Sequence, residues 1–373
     1  MEGFLRKRDN RWYAVVYVED EFGVKKKREF SCRTDNKKQA QKFLNELVYK
    51  YDHGDFCTGE KMKLKAYLER FIHLKENSLS PTTLKDYKLI LLDHVSSVMG
   101  DVYLDKLKPL NLQGYYRLKL ETLSPSTVKK HHRVIKKALN DAVKLGLISK
   151  NPADFVDPPK VPKNKTGHAL ELDETNRLLE AVHNTDFEVA CMLAMLCGLR
   201  RGEVCGLRWQ DIDFTNNTIK VEQSLVKAGG EYIFKTPKSD DSIRKISAPL
   251  LVMDALRKRK MHVTACRLKY GPEYQDHDLV LCTDIGEHIN PDWVTRNIKK
   301  YLKLAGIDPI RYHDLRHTNA TIMLLNGIPL KVASERLGHS SVKITGDTYS
   351  HVTKSIDREA SDKIDELYNQ RAK

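Results

Sequence analysis

Ten residues, Asp157 to Thr166, read D-P-P-K-V-P-K-N-K-T. Each proline fixes φ, removes a backbone donor and pushes the residue before it out of helical conformation, so this stretch favours extended chain and cannot be helix. Together with Asn151-Pro152 just upstream it forms a basic, proline-rich connector that cuts the 373-residue chain in two. Each part must then bury a core of its own. We place the linker at 159–167, a helical domain at 61–158 and a second domain at 168–373, with a small further domain at 1–57.

Charge is distributed along the same divisions. The formal net charge is +14, and residues 61–166 hold 21 Lys and Arg against 10 Asp and Glu, an excess of +11. Residues 1–60 hold 13 against 11, and residues 167–373 hold 30 against 29. A positive excess gathered in one segment favours an acidic partner there, with nucleic acid the leading candidate.

That segment reads as four short helices: K-A-Y-L-E-R-F-I, S-P-T-T-L-K-D-Y-K-L-I-L-L-D-H-V, P-L-N-L-Q-G-Y-Y-R-L and S-P-S-T-V-K-K-H-H-R-V-I-K-K-A-L-N-D-A-V. Two begin with Ser-Pro, where Ser80 or Thr82 and Ser124 or Ser126 can cap and proline sits in the first turn. In the last, Val134, Ile135, Ala138 and Leu139 form the stripe to be buried. Lys129, Lys130 and Arg133, followed by Lys136 and Lys137, form a basic side suited to phosphate contacts. The pair His131-His132 has no further ligands near it in sequence and is not read as a metal site.

At the N-terminal end, R-W-Y-A-V-V-Y-V-E-D-E-F-G-V-K-K-K-R-E-F-S-C reads as two β-rich runs around a turn at Gly23. K-K-Q-A-Q-K-F-L-N-E-L-V-Y-K-Y follows at helical spacing, so a small sheet backed by one helix is expected. Trp12, Tyr13, Arg28 and Arg33 are candidates to present that sheet to a DNA groove. Basic residues open the chain without an apolar signal core, and the longest apolar run, Val189 to Leu199, is too short to span a bilayer. Seven cysteines without a C-x-x-C pair fit a reducing cytoplasm rather than a structural zinc site, so no metal and no cofactor is expected.

The densest chemistry lies between Tyr312 and His351: Y-H-D-L-R-H, then L-G-H-S-S, then D-T-Y-S-H. His313 and Arg316 are three apart and share a helix face; Ala320, Ile322 and Leu325 continue that helix until Gly327 ends it. A second helix from near Pro329 carries Val332, Ala333 and Leu337, with Gly338 as its C-cap, and so delivers His339 just past a helix end. Tyr349 follows ten positions later. Arginine grips phosphate oxygens, histidine moves protons near neutrality, and a tyrosine hydroxyl can attack phosphorus. The set suits phosphoryl transfer without a metal, and no G-x-x-x-x-G-K-(S/T) loop is present.

These three boxes resemble those of the tyrosine recombinase, or phage integrase, family, above all integrases of conjugative transposons and temperate phages. C-G-L-R-R-G-E-V-C-G-L-R-W, from Cys197 to Trp209, is similar to a further box of that family, and P-K-S-D-D-S-I-R, from Pro237 to Arg244, to its lysine-bearing hairpin. The resemblance covers nearly the whole chain, most strongly Leu170 to His351 and least before Lys61. It implies an α+β multidomain protein: a small sheet-plus-helix domain for accessory arm sites, an all-helical core-binding domain, and a mainly α catalytic domain with a small β-sheet.

The resemblance also implies roles. Arg200 and Arg316 would bind the scissile phosphate, Glu203 would be the buried partner of Arg200, and Lys238 would protonate the leaving 5′-hydroxyl, with Lys235 as a competing assignment. His313 would assist proton transfer, His339 would hydrogen-bond the phosphate, and Tyr349 would be the nucleophile that forms a 3′-phosphotyrosyl bond. His317 and His351 are given packing roles. Ile356, Ala360, Ile364 and Leu367 lie on one helical stripe that would dock on a neighbouring protomer, giving a homotetramer on two duplexes. An excision factor and a host DNA-bending protein are further implied partners. Two other functions remain open at this point: DNA relaxation of the type IB topoisomerase kind, and a DNA-binding regulator without catalysis.

Overall fold

The structure, a computed structural model, describes residues 3–19, 25–52, 62–162, 169–235 and 243–338, together with positions 342, 346, 361 and 365. Lys238, His339, Tyr349, His351, the turn at Gly23 and the apolar stripe from Ile356 to Leu367, apart from the isolated positions named, lie outside the described residues. The chain separates into two units, Met1–Pro162 and Lys163–Lys373.

In the first unit, β1 (Gly3–Arg8), β2 (Arg11–Glu19) and β3 (Lys25–Ser31) form an antiparallel sheet in that order, followed by α1 (Lys37–Asp52). The sequence suggested two strands; the third is β1, an almost fully exposed basic strand whose side chains carry no apolar alternation. Asp9 and Asn10 take positive φ (46° and 60°) and close a two-residue hairpin with Arg8 opposite Arg11, the backbone twist such a turn requires. Ala14, Val16 and Val18 pack against Leu44 and Leu47 of α1.

The helical part runs through α2 (Leu64–Lys75), α3 (Pro81–Lys88), a π-helical stretch Leu89–Val95, α4 (Ser96–Met99), α5 (Pro109–Leu120) and α6 (Pro125–Lys144). Ser80 and Ser124 cap α3 and α6 by accepting from Thr83 N (3.4 Å) and Thr127 N (3.3 Å). Four short helices were expected, but α6 alone has 20 residues, and the second run continues through a π stretch that turns Ile90, Leu91 and Val95 inward. Its core joins Leu68, Phe71, Leu91, Leu112, Val128 and Leu139. Asn151-Pro152 belongs to this core and not to the connector. Asn151 is buried, donates to Lys136 O (3.0 Å) and Asn140 Oδ1 (2.7 Å), and accepts from Ala153 N (2.9 Å), so Pro152–Phe155 forms a 3-10 turn.

The second unit begins with α7 (Leu172–Val182), α8 (Glu188–Met195) and α9 (Arg201–Gly206). Glu171 is the N-cap of α7, its N–H donating to Glu174 Oε2 (3.0 Å), and Asp173 lies in the first turn. All eight residues of α8 are buried, so the apolar run is an interior helix with other elements on every side. No helix among the described residues is long and apolar enough to cross a membrane.

Strands β4 (Ile212–Asp213), β5 (Thr218–Val221), β6 (Ser224–Ala228), β7 (Glu231–Lys235) and β8 (Arg244–Ser247) follow. The run T-I-K-V-E-Q-S-L-V, which looks like one strand, breaks at Glu222-Gln223: β5 pairs with β4 and β8, whereas β6 pairs with β7. Polar anchoring makes the break, since Glu222 accepts from Arg208 (3.1 Å) and Gln223 donates to Gly206 O (2.8 Å). Then come α10 (Leu250–Tyr270), α11 (Pro291–Leu304), α12 (Tyr312–Leu325) and α13 (Leu330–Leu337). One core unites α7, α8, α9, β5, α10, α11 and the start of α12, and a small satellite of Ala320, Leu324, Ala333 and Leu337 joins α12 to α13.

Candidate active site

The site forms where the turn between α8 and α9 meets the end of α13. Gly198 takes φ +71, and a Cβ there would stand 2.6 Å from Leu337 Cδ2 and 2.9 Å from Asn319 Oδ1, so only glycine lets the turn approach both helices. Asn319 of α12 donates to Met195 O (3.0 Å), and Tyr312 donates to Ala190 O (2.6 Å), which locks α12 along α8. Gly338 ends α13 in the left-handed conformation (φ 65°, ψ 51°).

Three arginines from three different elements converge on the last carbonyls of α13. Arg244 Nε donates to Arg336 O (2.8 Å), Arg316 Nη2 to Leu337 O, and Arg200 Nη2 to Gly338 O (2.8 Å). Carbonyls at a helix C-terminus have no partner within the helix and carry the negative end of its dipole, so cations belong there. Arg316 also donates to Gly198 O and is 2% exposed, while the Arg200 side chain is 37% exposed. Of the two arginines expected at the phosphate, one is thus open to solvent and the other sits behind it.

Glu203 binds this cluster from below. Its carboxylate accepts from Arg200 N (2.8 Å), Arg200 Nη1 (2.7 Å), Arg244 Nη1 (3.2 Å) and Arg244 Nη2 (2.9 Å). Burial works to raise its pKa, but the bidentate Arg244 and the nearby Arg200 outweigh it and hold the carboxyl at about 2. Arg244, itself buried, is the last residue of the box that runs from Pro237. Its signal was the match of that box; its partner, 41 residues earlier, becomes visible only in the fold.

His313 lies on the first turn of α12 with its ring at the surface, 4.9 Å from the ring of His317 and perpendicular to it. Desolvation by the protein around it, then repulsion from His317 and Arg316, lower its pKa to about 4, although the ring still meets solvent. It is therefore neutral at pH 7 and has a nitrogen able to accept a proton. His317 is half-buried and shifted in the same direction, chiefly by burial. Asp314 pairs with Arg311 (2.8 Å). On α13, Ala333 and Leu337 are buried as expected, while Val332 faces solvent, as does Leu325 of α12. Lys235 is the last residue of β7.

The expected DNA-contacting residues are dispersed. On α6, Lys129 and Arg133 are exposed, and Lys130 pairs with Asp86 (2.8 Å). His131 and His132 are buried, bonded through Nδ1 to the hydroxyls of Tyr115 (2.8 Å) and Tyr116 (3.0 Å), and burial lowers His131 to about 4. In the N-terminal sheet, cross-strand partners share a face, so Arg28, opposite Val16, lies on the helix side, as does Trp12 by alternation. Tyr13 points to the other side, with Glu29 and Ser31 of β3. Trp12, Tyr13, Arg28 and Arg33 therefore do not present one face. Trp12 donates to Asp35 O (3.0 Å), the ammonium groups of Lys7 and Lys37 each stand 6.0 Å from its ring centre, and Arg33 sits beyond β3 with φ 51°.

Residues 168–355 match the model of the phage integrase family, and residues 63–158 match that of the phage integrase SAM-like domain. A tyrosine recombinase XerC-like protein of Caldanaerobacter subterraneus subsp. tengcongensis is 28% identical, over 97% of this chain and 98% of its own length. The ICEBs1 integrase of Bacillus subtilis is 27% identical, over 77% and 78%. Among solved structures, the Tn1549 transposon integrase in complex with transposon right end DNA superposes with a TM-score of 0.68 at 23% identity, covering 81% of this chain and 99% of that one. A lambda integrase tetramer bound to a Holliday junction gives 0.59 at 18%, over 92% and 94%. The chain belongs to the phage integrase family: it is a tyrosine recombinase, a site-specific enzyme that cuts and rejoins DNA strands.

Proposed function

We propose that Tyr349 attacks the scissile phosphate in line, forming a 3′-phosphotyrosyl bond as the 5′-oxygen leaves. Arg200 makes the direct contact with a nonbridging oxygen, because its guanidinium is the solvent-open member of the cluster. Arg316 supports it with positive charge from behind, and reaches the phosphate itself when it exchanges its bond to Leu337 O for a phosphate oxygen. His313, neutral at pH 7, accepts the tyrosine proton. Lys238 protonates the departing 5′-oxygen and His339 hydrogen-bonds the phosphate. The phosphotyrosyl bond keeps the reactivity of the phosphodiester it replaces, so a second DNA 5′-hydroxyl reverses the step without ATP.

The observation that carries this reading is the convergence of Arg200, Arg244 and Arg316 on one helix end, held by one buried carboxylate. It makes a preorganised cationic seat next to the position where the chain continues to His339. Lys129 and Arg133 on α6 supply phosphate contacts, and the sheet domain at 1–57 binds accessory arm sites, with Arg28 and Arg33 acting from its edge and loop rather than from one sheet face. Four copies act on two duplexes, exchanging their C-terminal segments, with an excision factor and a host DNA-bending protein biasing direction.

The test is denaturing electrophoresis of the protein with labelled, nicked DNA from the end of its own element, with Tyr349→Phe alongside. A covalent band with the wild type and none with the variant supports the assignment. A band that survives in Tyr349→Phe places the nucleophile elsewhere.

A further inference from the structure

We propose that His262, Cys266 and Asp284 form a binding site for a divalent transition-metal ion of the zinc class, which clips α10 to the loop that follows it. His262 and Cys266 are four residues apart on α10, so their side chains leave one face a turn apart. Asp284 comes from the tight turn closed by the bridge between Cys282 and His288. His262 Nε2 stands 3.5 Å from Cys266 Sγ and 3.3 Å from Asp284 Oδ1, and the three donor atoms lie within 4.8 Å of one another.

The two separations measured from His262 Nε2 match edges of a tetrahedron around one ion. With metal bonds of about 2.3 Å to sulfur and about 2.1 Å to nitrogen and oxygen, the nitrogen–sulfur edge of the tetrahedron is about 3.6 Å and the nitrogen–oxygen edge about 3.4 Å. One ring nitrogen faces both other groups, yet it carries either a single hydrogen or a single lone pair. A metal ion satisfies all three donors at once. Cys266 is buried while His262 and Asp284 are exposed, so the ion would rest on the thiolate with its fourth position open to water.

The mount is also rigid. Arg259, one turn before His262 on α10, donates to Val280 O (3.2 Å) and Cys282 O (2.7 Å), and Gly286 N donates to Thr283 O (2.9 Å) within the turn that bears Asp284. A thiolate with an imidazole selects zinc or cobalt over magnesium or calcium, which prefer oxygen. None of the three residues belongs to the cluster around Arg200, so the site stands apart from the recombination chemistry and acts as a fastener.

The experiment uses the metal-free full chain titrated with Co²⁺, then with Zn²⁺. One equivalent of Co²⁺ is expected to give a thiolate-to-cobalt charge-transfer band with tetrahedral d–d absorption, which Zn²⁺ bleaches, and Zn²⁺ is expected to raise Tm. Cys266→Ser should lose the band, and His262→Ala and Asp284→Asn, both at exposed positions, should lose the Tm rise. Absence of a thiolate band in the wild type overturns the proposal. So does a band that persists in Cys266→Ser, or a Zn²⁺-induced Tm rise that survives in His262→Ala.

Discussion

Glu203 has no chemistry of its own, yet two of the three clustered arginines bond to it. Its pKa of about 2 lies below the ordinary 4.5, so it contributes stability that is complete above about 4.5 and lost as pH falls towards about 2, where the folded state too takes up the proton. Urea unfolding between pH 5 and pH 2 should therefore show stability falling with pH, with a shallower slope in Glu203→Gln. Arg244→Met leaves the buried carboxylate without its bidentate partner and should cost about 3 kcal/mol or more at pH 7. His313 is depressed from 6.5 to about 4, so between those values the unfolded chain binds a proton that the native one refuses, and stability again falls as pH is lowered through this window. NMR titration should find His313 near 4 in the free protein. In a Tyr349→Phe complex with its DNA site, the adjacent phosphate should move it upward.

The end of α13 is the element on which the site depends. A Cβ at Gly338 would lie 3.1 Å from Arg244 Cδ and Nη1 in a backbone conformation that costs a non-glycine residue about 1–2 kcal/mol. Gly338→Ala should lower unfolding stability by about that amount and reduce single-turnover cleavage beyond what the stability loss explains, since Gly338 O positions Arg200. If cleavage falls no further than folding does, the carbonyl has no positioning role. In the helical domain, Ser124 is a helix cap, and Ser124→Ala should cost about 1 kcal/mol by chemical denaturation while leaving the active-site residues in place.

At the scale of the whole molecule, most of the positive excess, +11 of +14, lies in residues 61–166, while residues 167–373, which carry the arginine cluster, are nearly neutral. Affinity for DNA should therefore fall steeply with salt through the helical domain. Lys129→Ala and Arg133→Ala should each reduce the slope of log affinity against log salt by about 1, with little change in site preference. Unchanged slopes would remove both residues from the phosphate contacts.

From sequence alone come the division at the proline-rich connector, the capped helices of the basic domain, the helix ends at Gly327 and Gly338, and the boxes that carry Arg200, Glu203, His313 and Arg316. Each rests on local chemistry: proline and glycine restrict their own backbone, Ser-Pro starts a helix, and a box of residues stays close along the chain. Long-range pairing decided the rest. The strand break at Glu222-Gln223 follows from contacts to Arg208 and Gly206, the place of Asn151 in the helical core from Lys136 and Asn140, and the faces of Trp12 and Arg28 from sheet register. Arg244 reaches Glu203 across 41 residues, and Asp284 reaches His262 across 22. No periodicity records such distances, because only packing brings a carboxylate from one element within hydrogen-bonding reach of a cation or an imidazole on another.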